Sequence, residues 1–88
     1  MMHTLFFYDV DQSRVAKVHR YLTRRLFWIQ RSVFEGEISS FHRRLMIEDL
    51  SRFLDPETDS ILTINTEAPQ AWKRTVLGRD LAPQTGLN

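Results

Sequence analysis

The 88-residue sequence contains no cysteine. That removes a disulfide framework, a thiolate nucleophile and any Cys-ligated zinc site, and it fits a cytoplasmic location. Glycine is scarce, and Gly36, Gly78 and Gly86 stand far apart, so no glycine-rich phosphate loop exists and nucleoside-triphosphate chemistry is not expected. Long apolar runs are also missing. The stretches Leu5 to Tyr8 and Leu26 to Ile29 fall far short of the ~20 residues of a membrane span, and Met1-Met2-His3 opens no signal peptide, so no membrane partner is expected. His3, His19 and His42 lack the spacing of a helical metal pair or of a serine triad, and they are assigned no catalytic role.

A single-signed charge excess is absent as well. Twelve Lys and Arg face 11 Asp and Glu, a net charge of +1, which excludes a globally basic nucleic-acid coat. The positive residues are nevertheless concentrated: all but Lys17 and Lys73 are Arg, and most lie between Arg14 and Arg52. With 42% hydrophobic and 26% charged residues, the chain reads as one small globular domain. A monomer of this length buries only roughly 60 to 70% of its unfolded surface, so a second copy would supply core that one chain cannot build.

Thr4 to Val10 is short and aromatic-rich, the pattern of a buried strand with Asp9 at its carboxyl end. Asp11-Gln12-Ser13 offers helix-capping chemistry, and Val15, Val18, Leu22 and Leu26 then recur at spacings of three and four. The opposite face of that helix carries Lys17, Arg20 and Arg24, flanked by Arg14 and Arg25. Phe27 to Gln30 and Val33 to Ile38 are β-prone runs joined tightly at Arg31-Ser32. Phe34, Gly36 and Ile38 share one face of the second run, with Gly36 expected at a bulge or a close backbone approach. Ser39-Ser40 can cap a second helix with a core stripe of Met46, Ile47, Leu50, Phe53 and Leu54, ended by Asp55-Pro56; Phe41 and Leu45 fall off that stripe. Ser60 to Asn65 closes a β-α-β-β-α-β order, the ferredoxin-like α+β sandwich in which two helices cover one face of an antiparallel sheet. Trp72 to Gly78 is then a surplus fifth strand that needs a sheet edge, one that a second subunit can offer. Residues 1–78 are therefore read as one domain including this exchanged strand, and 79–88 as a flexible tail.

Two groups of residues carry chemistry. Asp9 and Asp11 form an Asp-x-Asp pair of hard oxygen ligands suited to Mg²⁺, with further ligands supplied by phosphate. Asp11 also fits a helix N-cap, and Asp9 fits either metal binding or pairing with a nearby arginine. Arg14, Lys17, Arg20, Arg24, Arg25 and Arg31 could track a phosphate backbone or form a solvated face; between Asp11 and Glu35 no acidic residue balances them. Tyr8, Phe27 and Trp28 could stack on bases, although strand positions favour core packing.

Tyr8-Asp9-Val10 closing the first strand, Arg14 opening the helix, and Gln30-Arg31-Ser32-Val33-Phe34-Glu35-Gly36-Glu37 together resemble the CRISPR-associated protein 2 family. The similarity runs from Thr4 to Asn65, with a looser echo in Lys73 to Gly78. One departure is Arg25-Leu26-Phe27-Trp28, where many members have a glycine-containing turn. The resemblance implies a homodimer whose C-terminal strand crosses to the partner's sheet. It implies an endonuclease dependent on Mg²⁺ or another divalent cation, acting on single-stranded RNA or double-stranded DNA, with Asp9 as metal ligand and Asp9 and Tyr8 as the catalytic residues. Arg14, Arg31 and Phe34 are then supporting residues at the nucleic acid, with Lys17, Arg20 and Arg24 on the basic surface. It also implies a place in spacer acquisition, as a dimer that bridges copies of the integrase, CRISPR-associated protein 1, and holds protospacer DNA. A purely non-catalytic DNA scaffold and an mRNA-cleaving, toxin-like ribonuclease are the alternatives.

Overall fold

β1 (Met2–Asp9) is the central element, flanked on both sides by antiparallel neighbours in the sheet order β2-β3-β1-β4. The computed structural model describes residues 1–68 and 73–82. Its elements follow as α1 (Gln12–Thr23), β2 (Phe27–Gln30), β3 (Val33–Ile38), α2 (Ser40–Ser51) and β4 (Ser60–Thr66). This is the ferredoxin-like α+β order expected from the hydrophobic patterning. Both middle strands occupy the expected residues, whereas β1 begins earlier, at Met2, and β4 extends to Thr66.

Strand side chains alternate, so β1 sends Thr4, Phe6 and Tyr8 toward the helices and Leu5, Phe7 and Asp9 toward the other face. Directly opposed residues share a face. The register therefore places Phe34 and Thr63 beside Phe6 on the helix side, and Glu35 and Ile64 beside Leu5 on the open side. The core is Phe6, Tyr8, Val18, Leu22, Leu26, Phe34, Met46 and Leu50, with Phe53, Leu54 and Ile61 packed against it. On the open face Phe27, Leu62 and Ile64 stay exposed.

Both helices start on the expected caps. The Asp11 carboxylate accepts from the Ser13 N–H at 3.0 Å and from its hydroxyl at 2.6 Å, and the Ser39 hydroxyl accepts from the His42 N–H at 3.0 Å. α1 ends at Thr23, before the expected last core position, Leu26. Leu26 is buried by the sheet instead: a β-carbon on Gly36 would stand 2.7 Å from Leu26 Cδ2, so a side chain there would force the Leu26 side chain to move. The β-bulge falls in β2, between Trp28 and Gln30. Val15 and Ile47, expected in the core, are over a third exposed because each sits at the rim of its helix's apolar stripe.

Residues 73–78 form no strand within the single chain. They lie over the open face, where Lys73 to Leu77 and Arg79 line a groove of about 440 Å³ with Leu5, Phe7 and Val33. Arg74 pairs there with Glu35 at 3.3 Å and with Asp80 at 3.2 Å. Residues 73–79 thus meet this face rather than pairing on the free edge of β2 or β4. Within residues 79–82, Asp80 pairs with Arg74 and Ala82 is buried; Trp72 and 83–88 lie outside the described residues. Among the described residues no helix is long and apolar enough to cross a membrane.

Candidate metal and nucleic-acid site

The carboxyl end of β1 gathers several chain segments. Asp9 is the last residue of the β1–β4 ladder, opposite Ser60. The Tyr8 N–H donates to the Ser32 carbonyl at 3.1 Å, which brings the β2–β3 hairpin alongside. Asp9 is exposed, and its carboxylate makes no ion pair or hydrogen bond among the described residues. An arginine partner, the alternative to metal binding, is therefore not present within the described chain. Asp11, by contrast, is committed to Ser13, whose two hydrogen bonds hold its carboxyl below the ordinary range.

No group of three or more metal-ligating side chains occurs among the described residues. The fit to Mg²⁺ is that of a half-site. The ion commonly takes one or two carboxylates and completes its shell with water and substrate phosphate, and one chain offers the free Asp9 carboxylate.

Tyr8 does not share this site. Consecutive strand residues point to opposite faces, so Tyr8 enters the core, 8% exposed, while Asp9 faces outward. The Tyr8 ring stacks near Phe34 with centroids 6.4 Å apart, its hydroxyl lies 3.4 Å from His19 Nδ1, and burial pushes its pKa up. Tyr8 and Asp9, expected together as catalytic groups, thus stand on opposite faces of β1 in the single chain. Phe34, expected beside the nucleic acid, is fully buried in the single chain, edge-on to His19 at 5.1 Å.

The expected cationic surface divides. Arg31 sits at the hairpin tip with φ 41°, a left-handed conformation that L side chains rarely adopt. Trp28 Nε1 donates to the Arg31 carbonyl at 2.9 Å and fixes the tip, leaving the guanidinium exposed and without an acidic partner among the described residues. Arg20 on α1 and Arg24 at its C-cap are likewise exposed, and neither guanidinium has a partner among the described residues. Lys17 lies 4.4 Å from the centre of the Phe53 ring, and Arg25 stacks at 3.8 Å on Tyr21.

Arg14 is occupied. Its Nε donates to Asp59 Oδ2, and its terminal nitrogen donates to Asp59 Oδ1 at 3.1 Å and to the Thr58 hydroxyl at 3.3 Å. The Asp59 side chain is fully buried and also accepts from the backbone N–H groups of Asp11 at 2.8 Å and Asp55 at 2.9 Å. Arg14 foremost, helped by those two N–H groups, holds the Asp59 carboxyl far below the usual carboxylate range against the opposing effect of burial. Arg14, expected at the nucleic acid, is thus engaged in an ion pair with Asp59 in the single chain. Asp59 was the residue that sequence reasoning missed, although its acidic, turn-forming neighbourhood from Asp55 to Asp59 was a visible signal.

Residues 1–74 match the family described as CRISPR associated protein Cas2. The chain belongs to the Cas2 family. A Cas2 relative from Methanothermobacter thermautotrophicus, named a CRISPR-associated endoribonuclease, is 38% identical over 82 residues, which is 93% of this chain and 90% of that protein. A second, from Methanocaldococcus jannaschii and named in the same way, is 33% identical over 93% of this chain and 72% of its own length. Among solved structures, a crystal structure of a Cas2 protein superposes with a TM-score of 0.82 at 36% identity, covering 96% of this chain and 94% of the other. Streptococcus pyogenes Cas2, crystallised at pH 6.5, superposes with a TM-score of 0.69 at 23% identity over 86% of this chain and all of that one, a likeness of fold alone.

Proposed function

We propose that the protein works as a homodimer in CRISPR spacer acquisition and is a divalent-metal-dependent endonuclease built on two copies of Asp9. The observation that carries this reading is the free, outward-facing Asp9 carboxylate at the end of β1, in a family whose relatives are named endoribonucleases. The open sheet face is only partly overlain by residues 73–79, and the apolar side chains still exposed on it, Phe27, Leu62 and Ile64, support association with a second copy.

Asp9 of each copy would hold the ion as a hard oxygen ligand. When bound there, Mg²⁺ supplies Lewis-acid polarisation of the phosphodiester and lowers the pKa of a water. Arg31, at the hairpin beside the strand end, offsets phosphate charge as it builds, while Arg20 and Arg24 hold the backbone farther along. These contacts need no base edges, so they suit RNA and duplex DNA alike.

The unpaired cations favour a second reading. Arrayed positive charge suffices to hold protospacer DNA for an integrase partner, CRISPR-associated protein 1, with no metal involved. The two readings part in one assay: Mg²⁺-dependent cleavage of labelled single-stranded RNA and duplex DNA, with Asp9→Ala and a chelator as parallel controls. Cleavage abolished by both controls is the expected result. An inactive wild type whose salt-sensitive duplex binding survives in Asp9→Ala overturns the nuclease and leaves the scaffold.

A further inference from the structure

We propose that Arg14 is a positioning residue: its ion pair with Asp59 clamps the β1–α1 join and so sets the place of Asp9, without contact to the nucleic acid. This rests on the proposed role of Asp9 at a metal site.

Ladder pairing ends at Asp9 opposite Ser60, and the next fixed point along the chain is the Asp11 N–H, held at 2.8 Å by the carboxylate of Asp59, the neighbour of Ser60. Only Val10 separates the two anchors. Asp59 can stay buried there because the guanidinium meets it fork-on, Nε to one oxygen and the terminal nitrogen to the other, while backbone N–H groups take the remaining lone pairs. Without Arg14 the carboxylate is a buried charge with no counter-ion, and it must move toward water and release the Asp11 N–H. The displacement would reach Asp9 through two residues of backbone. A site assembled from one carboxylate per copy has little tolerance for this, since a misplacement of about 1 Å can cost roughly 100-fold in rate.

A phosphate contact at Arg14 predicts otherwise, and the two accounts separate experimentally. Arg14→Ala, Arg14→Lys and Asp59→Ala are compared in the full-length chain. Salt-dependent binding to a labelled DNA duplex, amide hydrogen exchange at Asp11, and kcat and KM for RNA cleavage in Mg²⁺ are measured for each. The clamp predicts an unchanged salt slope in all three variants and Asp11 exchange faster by about tenfold, the worth of one lost hydrogen bond. It also predicts kcat lowered about 10- to 100-fold with KM for RNA unchanged. Lys, a point charge without the fork, fails to restore exchange or kcat.

The proposal is overturned if Arg14→Ala reduces the salt slope by about one, if Lys restores function, or if Asp59→Ala leaves Asp11 exchange and kcat untouched. Should the alanine variants fail to fold, Arg14→Gln combined with Asp59→Asn removes both charges while keeping hydrogen-bonding groups, and the same readings decide. If the wild type cleaves nothing, the nuclease reading falls, and salt slope and amide exchange alone decide the clamp.

Discussion

Thr4 is a polar residue in the wrong solvent. It is fully buried on β1, opposite Gly36 and Asn65, and its hydroxyl has no hydrogen-bond partner among the described residues. An unanswered buried hydroxyl costs about 1–3 kcal/mol. Thr4→Val keeps the branched shape and the strand preference while replacing that hydroxyl with a methyl, so a gain of about 1 kcal/mol is expected. For a domain of this size that raises the melting temperature by about 4–8 °C. Thr4→Ser keeps the orphan hydroxyl and loses a buried methyl, a loss of about 1 kcal/mol. Urea unfolding followed by circular dichroism should rank Val above Thr above Ser, at one fixed protein concentration because subunit association shifts apparent stability. A Val variant less stable than the wild type would refute the reasoning, since it would mean that the hydroxyl is bonded in solution.

Two further outcomes follow from local geometry. Burial first, and then the hydrogen bond that its hydroxyl donates to Asp49 at 2.6 Å, push the Tyr21 pKa up to about 12. The folded state thus holds the phenolic proton more tightly than the unfolded one. The stability this contributes is whole below pH 10 and is lost as pH rises through about 12. Phenolate absorbance should show that late ionisation, and Tyr21→Phe should flatten the alkaline fall in stability; ionisation at the ordinary 10 would contradict it. At the hairpin tip, Arg31→Gly relieves a left-handed backbone worth about 1 kcal/mol yet removes a free cation. Stability should rise while the salt slope of duplex binding falls by about one, and unchanged binding would remove Arg31 from the interface.

Periodicity was sufficient to read the elements because each is amphipathic over its own length. β2 and β3 lie where alternation and the Arg31-Ser32 join place them. The end of α1 was not legible, because Leu26 continues the helical spacing while being buried by a strand approach at Gly36. Asp9 stood out as a carboxylate after an apolar run. The burial of Phe34 was also legible, since alternation had already put it on a face with Gly36 and Ile38. The opposite orientation of Tyr8 follows from the same rule. The Arg14–Asp59 pair was not legible: its members lie far apart in sequence, and only the ladder that sets Asp9 against Ser60 brings them together.

The alternation along β1 makes length and composition unequal kinds of change. A substitution at Tyr8 or Asp9 alters one side chain on one face. Adding or deleting a single residue within Met2–Asp9 reverses parity for everything beyond it: the carboxylate is sent toward the core, the phenol toward solvent, and Asp59 is left one register step from the N–H it holds. A change of chain length is therefore tolerated only at the joins between elements, whereas the central strand accepts replacement in place.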